Sequence, residues 1–325
     1  MKLKVLLFAY GHTGECALKA LSDKFNVIGI ITPEDSSELY RYIKELEVEK
    51  IAKEKTIEIF RTSKMSEIEE IIDNNKPDIV VISSFNKIIP ERILKKSKFI
   101  NVHHGDLPRY RGRANFNWAI INGRKEIGLT IHEVVANLDA GNIYAQYNIQ
   151  IEDSDNIATV YSKANKIILD NLSEIVEKVS QGFQGKVQEG EPTYCCTRLP
   201  EDGIIDWKKN SREIYNLIRG LTHPYDGAYT FYKNKKMIIW EAELVPNPLI
   251  YEGRIPGRII KTSEDYVDVL TRDSYLKIKT IEYEGIIKKP NEIIKSVKDT
   301  LGINEEKITK VLEELEKSKP AEESK

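Results

Sequence analysis

The sequence predicts an α/β protein, with a doubly wound and mostly parallel sheet followed by a smaller antiparallel, barrel-like domain. Apolar runs suited to buried strands alternate with amphipathic, helix-like segments between residues 3 and 103. Polar side chains follow the last of these runs, at the strand end where doubly wound sheets bind ligands. After residue 201, several short runs typical of strands replace this alternation.

The first domain, residues 1–200, begins with the apolar run 3–10, which suits a strand buried on both faces. Four more parallel strands are predicted at 26–32, 58–60, 78–83 and 99–103. Between them, the turn 11–14 is predicted to lead into a helix that carries Cys16, Leu18 and Leu21. Further helices are predicted at 38–53, 65–73 and 90–96, the last with Pro90 in its first turn.

The rest of this domain brings a second group of elements beside the sheet. A helix is predicted at 116–121 and a long amphipathic helix at 157–179. Strands at 128–133 and 142–149 are predicted to form a hairpin-like pair around the turn that contains Asp139. Residues 181–200 are interpreted as a connector.

The second domain, residues 201–303, is predicted to open with a helix at 211–220, capped by Ser211 and carrying Glu213 in its first turn. A turn follows at 223–228. Short strands are then predicted at 229–232, 237–244, 257–260, 267–270 and 275–282, and a closing helix at 291–302. Residues 304–325 are expected to form a helical or disordered tail.

Composition excludes several classes of protein. The 49 Lys and Arg nearly balance the 51 Asp and Glu, so a large nucleic-acid footprint is not expected. Three cysteines, two of them adjacent, do not suggest a disulfide framework, and no metal-ligand spacing is present. Because no apolar run approaches transmembrane length, we expect a soluble cytoplasmic protein with no membrane partner.

Three polar side chains form a candidate acid–base group. Asn101 and His103 are two residues apart on one predicted strand, so their side chains should share a face. Asp139 lies in the later turn Leu138-Asp139-Ala140-Gly141. An imidazole can move a proton, a carboxylate can orient it, and an amide N–H can stabilise an oxyanion.

The combined motif resembles the folate-dependent formyltransferases. The matching parts are Asn101-x-His103, then Leu107-Pro108-x-Tyr110-Arg111-Gly112-Arg113-Ala114, then Leu138-Asp139-Ala140-Gly141. Asn-x-His alone would be weak evidence, but the combination is specific. Within the family, the chain is most similar to the branch that formylates amino sugars on nucleotides, typified by the formyltransferase that acts on UDP-4-amino-4-deoxy-L-arabinose. The resemblance also implies a Rossmann-like first domain and an OB-like barrel for the second.

The resemblance implies roles for the three side chains. His103 would take a proton from the acceptor amine and pass it toward the folate nitrogen, and Asn101 would stabilise the tetrahedral oxyanion. Asp139 would keep the imidazole in the useful tautomer. The formyl donor would be N10-formyltetrahydrofolate, without a metal. Two segments would bind it, namely Lys87, Ile88 and Ile89, and Val135, Ala136, Asn137, Leu138 and Asp139.

Acceptor contacts are predicted at three residues. Arg113 aligns with a family arginine at the ligand site, and guanidinium groups suit phosphates and carboxylates. Tyr10 is the aromatic residue at the end of the first strand. His104 departs from the family pattern, so it is either a further acceptor contact or a solvated loop residue. Asn115 stands where the motif usually has proline.

The acceptor is expected to be a nucleotide-linked amino sugar, as in lipopolysaccharide biosynthesis. The tRNA-modifying members of the family carry a basic loop after the second strand, but residues 33–39 here are acidic and would repel a phosphate backbone. Methionyl-tRNA formyltransferase is the alternative. A formyltetrahydrofolate hydrolase and a folate-binding module with an inactive site are further possibilities. The resemblance to the sugar enzymes also implies a homodimer.

Overall fold

The computed structural model describes residues 2–34, 47–85 and 87–302. The chain divides into two compact units. Unit 1 comprises Met1–Asp202 and Arg219–Asp226, and unit 2 comprises Gly203–Ile218 and Gly227–Lys325. Each unit contains its own sheet.

Unit 1 is built on a seven-stranded sheet in the order β3-β2-β1-β4-β5-β7-β8. The first five strands in this order are parallel, β7 runs antiparallel to β5, and β8 runs antiparallel to β7. The strands are β1 (Lys4–Ala9), β2 (Asn26–Thr32), β3 (Ile59–Arg61), β4 (Ile79–Ser83), β5 (Lys98–His103), β7 (Glu126–Glu133) and β8 (Ile143–Gln150).

Helices cover both faces of this sheet, as the unbroken apolar run of the first strand predicts. Val5 and Leu7 on β1 belong to one hydrophobic cluster, whereas Leu6 and Phe8 belong to another. The helices of this unit are α1 (Gly11–Ser22), α2 (Glu47–Glu54), α3 (Met65–Asn75), α4 (Glu91–Leu94), α5 (Asn115–Ile121) and α6 (Ile157–Ser180).

The predicted α/β order of unit 1 is confirmed, with small differences at element ends. Pro90 precedes α4 in an extended conformation instead of standing in its first turn. The beginning of the helix predicted at 38–53 lies outside the described residues. The predicted connector contains a short strand, β9 (Tyr194–Cys195), which pairs with β6 (Arg111–Gly112) inside the sequence motif.

Unit 2 contains an antiparallel sheet in the order β10-β11-β14-β13-β12, with β15 paired to β14. Its helix α7 (Ser211–Leu221) begins in this unit, and Ser211 is the first helical residue instead of the predicted cap. The other elements are β10 (Ala228–Tyr232), β11 (Lys235–Leu244), β12 (Ile259–Thr262), β13 (Val267–Leu270), β14 (Tyr275–Tyr283), β15 (Ile286–Lys288) and α8 (Pro290–Ile293).

The predicted closing helix is wrong beyond its first turn. Helix α8 ends at Ile293. The N–H of Ile259 donates to Asp299 and the N–H of Leu301 donates to Gly257, so this segment pairs with the chain that leads into β12. Pairing with a strand uses the backbone groups that a helix would need. The tail predicted at 304–325 lies outside the described residues.

None of the helices in the described part of the chain is long and apolar enough to cross a membrane.

Candidate active site at the carboxyl edge of the first sheet

Strand β5 presents Asn101 and His103 near its carboxyl end, as the alternation of a strand requires. His103 is buried and Asn101 is half-buried. Strand β7 runs antiparallel beside them, with His132 opposite Asn101 and Thr130 opposite His103. The register therefore places a second histidine, which the sequence analysis did not identify, beside the predicted pair.

Asp139 completes this cluster from the turn between β7 and β8. Its carboxylate accepts the N–H of Gly112 at 2.9 Å. Its Oδ2 lies 3.6 Å from Nδ1 of His103, and its Oδ1 lies 3.7 Å from Nε2 of His132. The structure thus brings the three predicted residues together and places the carboxylate between two imidazoles.

The protonation of His103 follows from its backbone partner. Its Nε2 lies 2.8 Å from the carbonyl oxygen of Tyr110. Because a carbonyl can only accept, Nε2 must carry a proton, and Nδ1 is the ring atom that can take up another. From sequence, Asp139 was expected to determine the tautomer, but in the structure the Tyr110 carbonyl determines it.

His132 is held neutral and oriented in a similar way. Its Nδ1 donates to the carbonyl of Glu133 at 2.6 Å, which leaves Nε2 to accept from the amide of Asn101 at 3.1 Å. Burial, reinforced by repulsion from His103 when that ring is protonated, lowers the pKa of His132 to about 4. One N–H of the Asn101 amide is therefore committed to His132, and the other is available for a substrate.

The hydrogen bonds that link Glu133, His132 and Asn101 predict the effect of His132→Leu. Leucine is of similar size but cannot accept from Asn101, so the amide loses its fixed orientation. We expect kcat of the predicted reaction to fall about 10-fold, less than the loss from deleting an oxyanion donor outright. Steady-state rates at saturating substrates for His132→Leu, Asn101→Ala and the double variant test this, because the double variant should be no worse than Asn101→Ala. If the rate losses of the two single variants add up in the double variant, His132 does not act through Asn101.

The structure places His104 on the opposite side of β5, where a structural role is favoured over the predicted acceptor contact. Its ring packs edgewise against Phe116 and Tyr161, with centroids 4.9 and 5.3 Å away. Its Nε2 is buried and makes no hydrogen bond to any residue that the structure describes. Burial, reinforced by repulsion from His103 when that ring is protonated, lowers its pKa to about 3.

His104 should therefore make the fold sensitive to acid. Its pKa is about 6.5 in the unfolded chain and lower in the folded one, so below pH 6.5 the unfolded state binds the extra proton and stability falls. His104→Phe removes this group and suits the aromatic pocket. We expect the melting temperature of the variant to fall less than that of the wild type between pH 7 and pH 5. Parallel pH profiles would contradict this explanation.

Gly105 allows His103, the predicted catalytic histidine, to pack closely. A Cβ at this position would lie 2.7 Å from both Nε2 of His103 and the carbonyl oxygen of Tyr110. Any larger residue would therefore separate the hydrogen-bonded pair that determines the tautomer. Asn115, which replaces the usual proline, is buried, and its amide donates to the Gly112 carbonyl at 3.3 Å. The same amide nitrogen lies 3.2 Å from Nε2 of His103, which cannot accept from it while it donates to Tyr110.

The two predicted donor-binding segments lie against one hydrophobic cluster. Ile89 is buried in it, and Phe85 and Val134 pack against it. Ile88 is 70% exposed, and Val135 and Leu138 are also exposed. Lys87, Ala136 and Asn137 are exposed at the same two loops. Solvent-facing apolar side chains beside a polar cluster suit an aromatic ligand that carries a polar edge.

The remaining predicted acceptor residues lie at the ends of elements of unit 1. Arg113 is exposed and directly follows Gly112, whose N–H binds Asp139. Tyr10 is largely buried and immediately precedes α1. Their placement leaves the guanidinium accessible to an anion, whereas the ring of Tyr10 offers little surface.

His103, His132 and Asp139 also have the chemistry of metal ligands, although the sequence predicts no metal. One ligand atom from each lies within 4.8 Å of the others. Nε2 of His103 is bound to the Tyr110 carbonyl, so Nδ1 is the atom of this residue that a metal ion would use.

Comparison with known proteins agrees with this geometry. The formyl transferase family model matches residues 1–175, and the model of the formyl transferase C-terminal domain matches residues 199–297. The methionyl-tRNA formyltransferase of Caldanaerobacter subterraneus subsp. tengcongensis is 35% identical over 73% of this chain and 78% of its own. The bifunctional polymyxin resistance protein ArnA of Wigglesworthia glossinidia brevipalpis is 33% identical over 91% of this chain. The match covers 47% of ArnA, so this chain spans about half the length of that protein.

Solved structures show the same fold. The sugar 3N-formyl transferase WlaRD, crystallised with dTDP and 5-N-formyl-THF, is 18% identical over 86% of this chain and 98% of its own, with a TM-score of 0.63. Both domain models match in order along the chain, and curated relatives exceed 30% identity over most of its length. The chain therefore belongs to the formyl transferase family.

Proposed function

We propose that the chain transfers the formyl group of N10-formyltetrahydrofolate to the amine of a nucleotide-linked amino sugar. The convergence of Asn101, His103 and Asp139 beside two exposed apolar loops is the observation that carries this proposal. The folate donor is supported by family membership and by WlaRD, a structural neighbour crystallised with 5-N-formyl-THF.

The reaction requires one bond to form, one to break and one proton to move. The acceptor amine attacks the formyl carbon, the free N–H of Asn101 stabilises the oxyanion, and the bond from carbon to N10 then breaks. Nδ1 of His103 takes the proton that the amine loses and delivers it to N10. The resulting imidazolium lies between the Tyr110 carbonyl and the Asp139 carboxylate, which stabilise its charge.

The distance between His103 and Asp139 is compatible with this role. A separation of 3.6 Å is longer than a hydrogen bond. Catalytic contacts of this kind shorten when substrate is bound. The Gly112 N–H holds the carboxylate on the side of the imidazole, so a small movement suffices.

Three observations support a sugar acceptor. The segment 33–39 is acidic and the whole chain carries a formal charge of −2, both unfavourable for a polyanion. Of this segment, residues 35–39 lie outside the described part of the structure. WlaRD, a sugar enzyme by its name, shares the fold over 86% of this chain. The homodimer expected for such an enzyme stays a prediction.

Methionyl-tRNA is the second candidate acceptor, because relatives with that name are 32–35% identical to this chain over 73–87% of its length. Unit 2 also carries exposed lysines around the β10–β11 turn, including Lys233, Lys235 and Lys236. Such groups suit a phosphate backbone, although they are common on ordinary protein surfaces.

A panel of acceptors distinguishes these possibilities. The protein is incubated with N10-formyltetrahydrofolate and, separately, UDP- and dTDP-linked amino sugars or methionyl-tRNA, and tetrahydrofolate release is followed. Release that depends on a nucleotide sugar is the expected result. Release that depends on methionyl-tRNA and falls steeply with salt would establish the second candidate instead. Release without any acceptor, or donor binding without release, would overturn both.

A further inference from the structure

We propose that Gln188 is a positioning residue for formyl transfer, acting through Asp139. The inference rests on the proposed function, because it assigns a task to a residue outside the predicted site. Gln188 lies in the segment 181–200, which the sequence analysis treated only as a connector. Its side chain is half-buried within unit 1, whereas its neighbours Val187 and Glu189 are exposed.

Both N–H groups of the Gln188 amide are used by the loop that carries Asp139. Its Nε2 donates to the backbone carbonyl of Asp139 at 2.7 Å and to that of Gly141 at 2.8 Å. Its Oε1 accepts from the guanidinium of Arg111 at 2.7 Å. Because both partners of Nε2 are carbonyls and the partner of Oε1 is a cation, only one orientation of the amide satisfies all three contacts.

Asp139 needs this support because its backbone is in an unfavourable conformation. Its φ is +48°, in the left-handed region that non-glycine residues seldom occupy. Such a residue keeps its conformation only when its surroundings determine it. The Gln188 amide binds its carbonyl and the Gly112 N–H binds its carboxylate, so contacts from outside the loop hold both groups.

The same connector also places Gly112. Strand β9 pairs with β6, with Tyr194 opposite Arg111 and Cys195 opposite Gly112. A Cβ on Gly112 would lie 2.5 Å from the Cys195 carbonyl, so the two chains approach closely. The connector therefore supplies one partner of Asp139, the side chain of Gln188, and positions the other, Gly112, through strand pairing.

Gln188→Glu tests the side-chain contact with almost no change in shape. A carboxylate keeps the contact with Arg111 but cannot donate to the carbonyls of Asp139 and Gly141. We expect kcat at saturating substrates to fall at least about 10-fold. Gln184→Glu is the matched control, because Gln184 is an exposed residue of the same connector whose amide donates to its near neighbour Gly182. Its kcat should stay within about twofold of the wild type.

A double-variant cycle separates positioning from a general structural effect. In an Asp139→Asn background the group that Gln188 positions no longer carries its charge, so adding Gln188→Glu should lower single-turnover rates little further. A full additional loss in that background would overturn the inference. So would a Gln188→Glu single variant whose rate is within twofold of the wild type.

A measurement without substrates distinguishes failure of this inference from failure of the proposed function. Amide hydrogen exchange should be faster in segments 110–113 and 135–141 of Gln188→Glu than in the wild type, and unchanged in Gln184→Glu. Equal exchange in the Gln188→Glu and wild-type proteins would contradict the inference whatever the acceptor proves to be. If the wild type transfers no formyl group but exchange is still faster in Gln188→Glu than in the wild type, the proposed function alone is contradicted.

Discussion

His103→Ala is expected to lower kcat for formyl transfer by about 10²–10⁴-fold while leaving donor binding nearly intact. The substitution removes Nδ1, the atom assigned to carry the proton from the amine to the folate nitrogen. The donor is expected to contact the two exposed loops at 87–89 and 135–139, which the substitution does not alter. Rates of tetrahydrofolate release and calorimetric titration with folate measure the two quantities separately.

A second substitution distinguishes loss of the catalytic group from loss of the fold. His103→Gln retains an N–H that can donate to the Tyr110 carbonyl, but its amide cannot take up a proton. We expect it to be as inactive as His103→Ala, with a melting temperature close to that of the wild type. A His103→Gln enzyme that keeps more than a tenth of the wild-type rate would show that His103 is not the base.

Asp139→Asn is expected to produce the second largest effect, a fall in kcat of about 10²–10³-fold. Asparagine tolerates the left-handed backbone of this position, and its side-chain oxygen can still accept from Gly112. The variant therefore removes the charge that stabilises the imidazolium and leaves the loop in place. Pre-steady-state rates of formyl transfer, measured with saturating donor and acceptor, isolate this step from product release.

Asp139→Ala is the companion variant for this experiment. It removes the hydrogen bond to Gly112 as well as the charge, so it should also weaken donor binding through the 135–139 loop. If the charge is what matters, the Asn and Ala variants will have similar kcat values and differ in donor affinity. An Asp139→Asn enzyme with more than a third of the wild-type rate would refute the role assigned to the carboxylate.

The sequence was sufficient to predict the polar residues at the centre of the candidate site. Strand alternation placed Asn101 and His103 on one face, and the turn residues around Asp139 predicted a loop between two strands. Both inferences depend on local patterns and a specific motif. That is why they survive small differences in the ends of the strands.

The supporting contacts could not be predicted in the same way. His132 faces Asn101 only because β7 pairs with β5 in a particular register, and a shift of one residue would turn it to the other face. The Tyr110 carbonyl and the Gly112 N–H are backbone groups, which carry no side-chain signature. Gln188 is 49 residues from Asp139 along the chain, and nothing in its neighbourhood marks it.

The errors in unit 2 have a related cause. The closing helix was predicted from local composition at 291–302, but tertiary pairing of Asp299 and Leu301 with Ile259 and Gly257 takes over their backbone groups. Strand β15 was missed because it is only three residues long, too short for the alternation of a strand to be evident. Local propensity predicts long, strongly periodic elements more reliably than short elements at the end of a domain.

A crystal structure with a stable folate analogue that carries its formyl group on N10 would test most directly whether these polar groups act on a single carbon. The pterin is expected against the loops at 87–89 and 135–139, with the formyl oxygen about 3 Å from the amide nitrogen of Asn101. His103 and Asp139 should flank the same formyl group. A folate molecule whose formyl group lies outside this cluster, with the imidazole and the carboxylate facing separate cavities, would contradict the account.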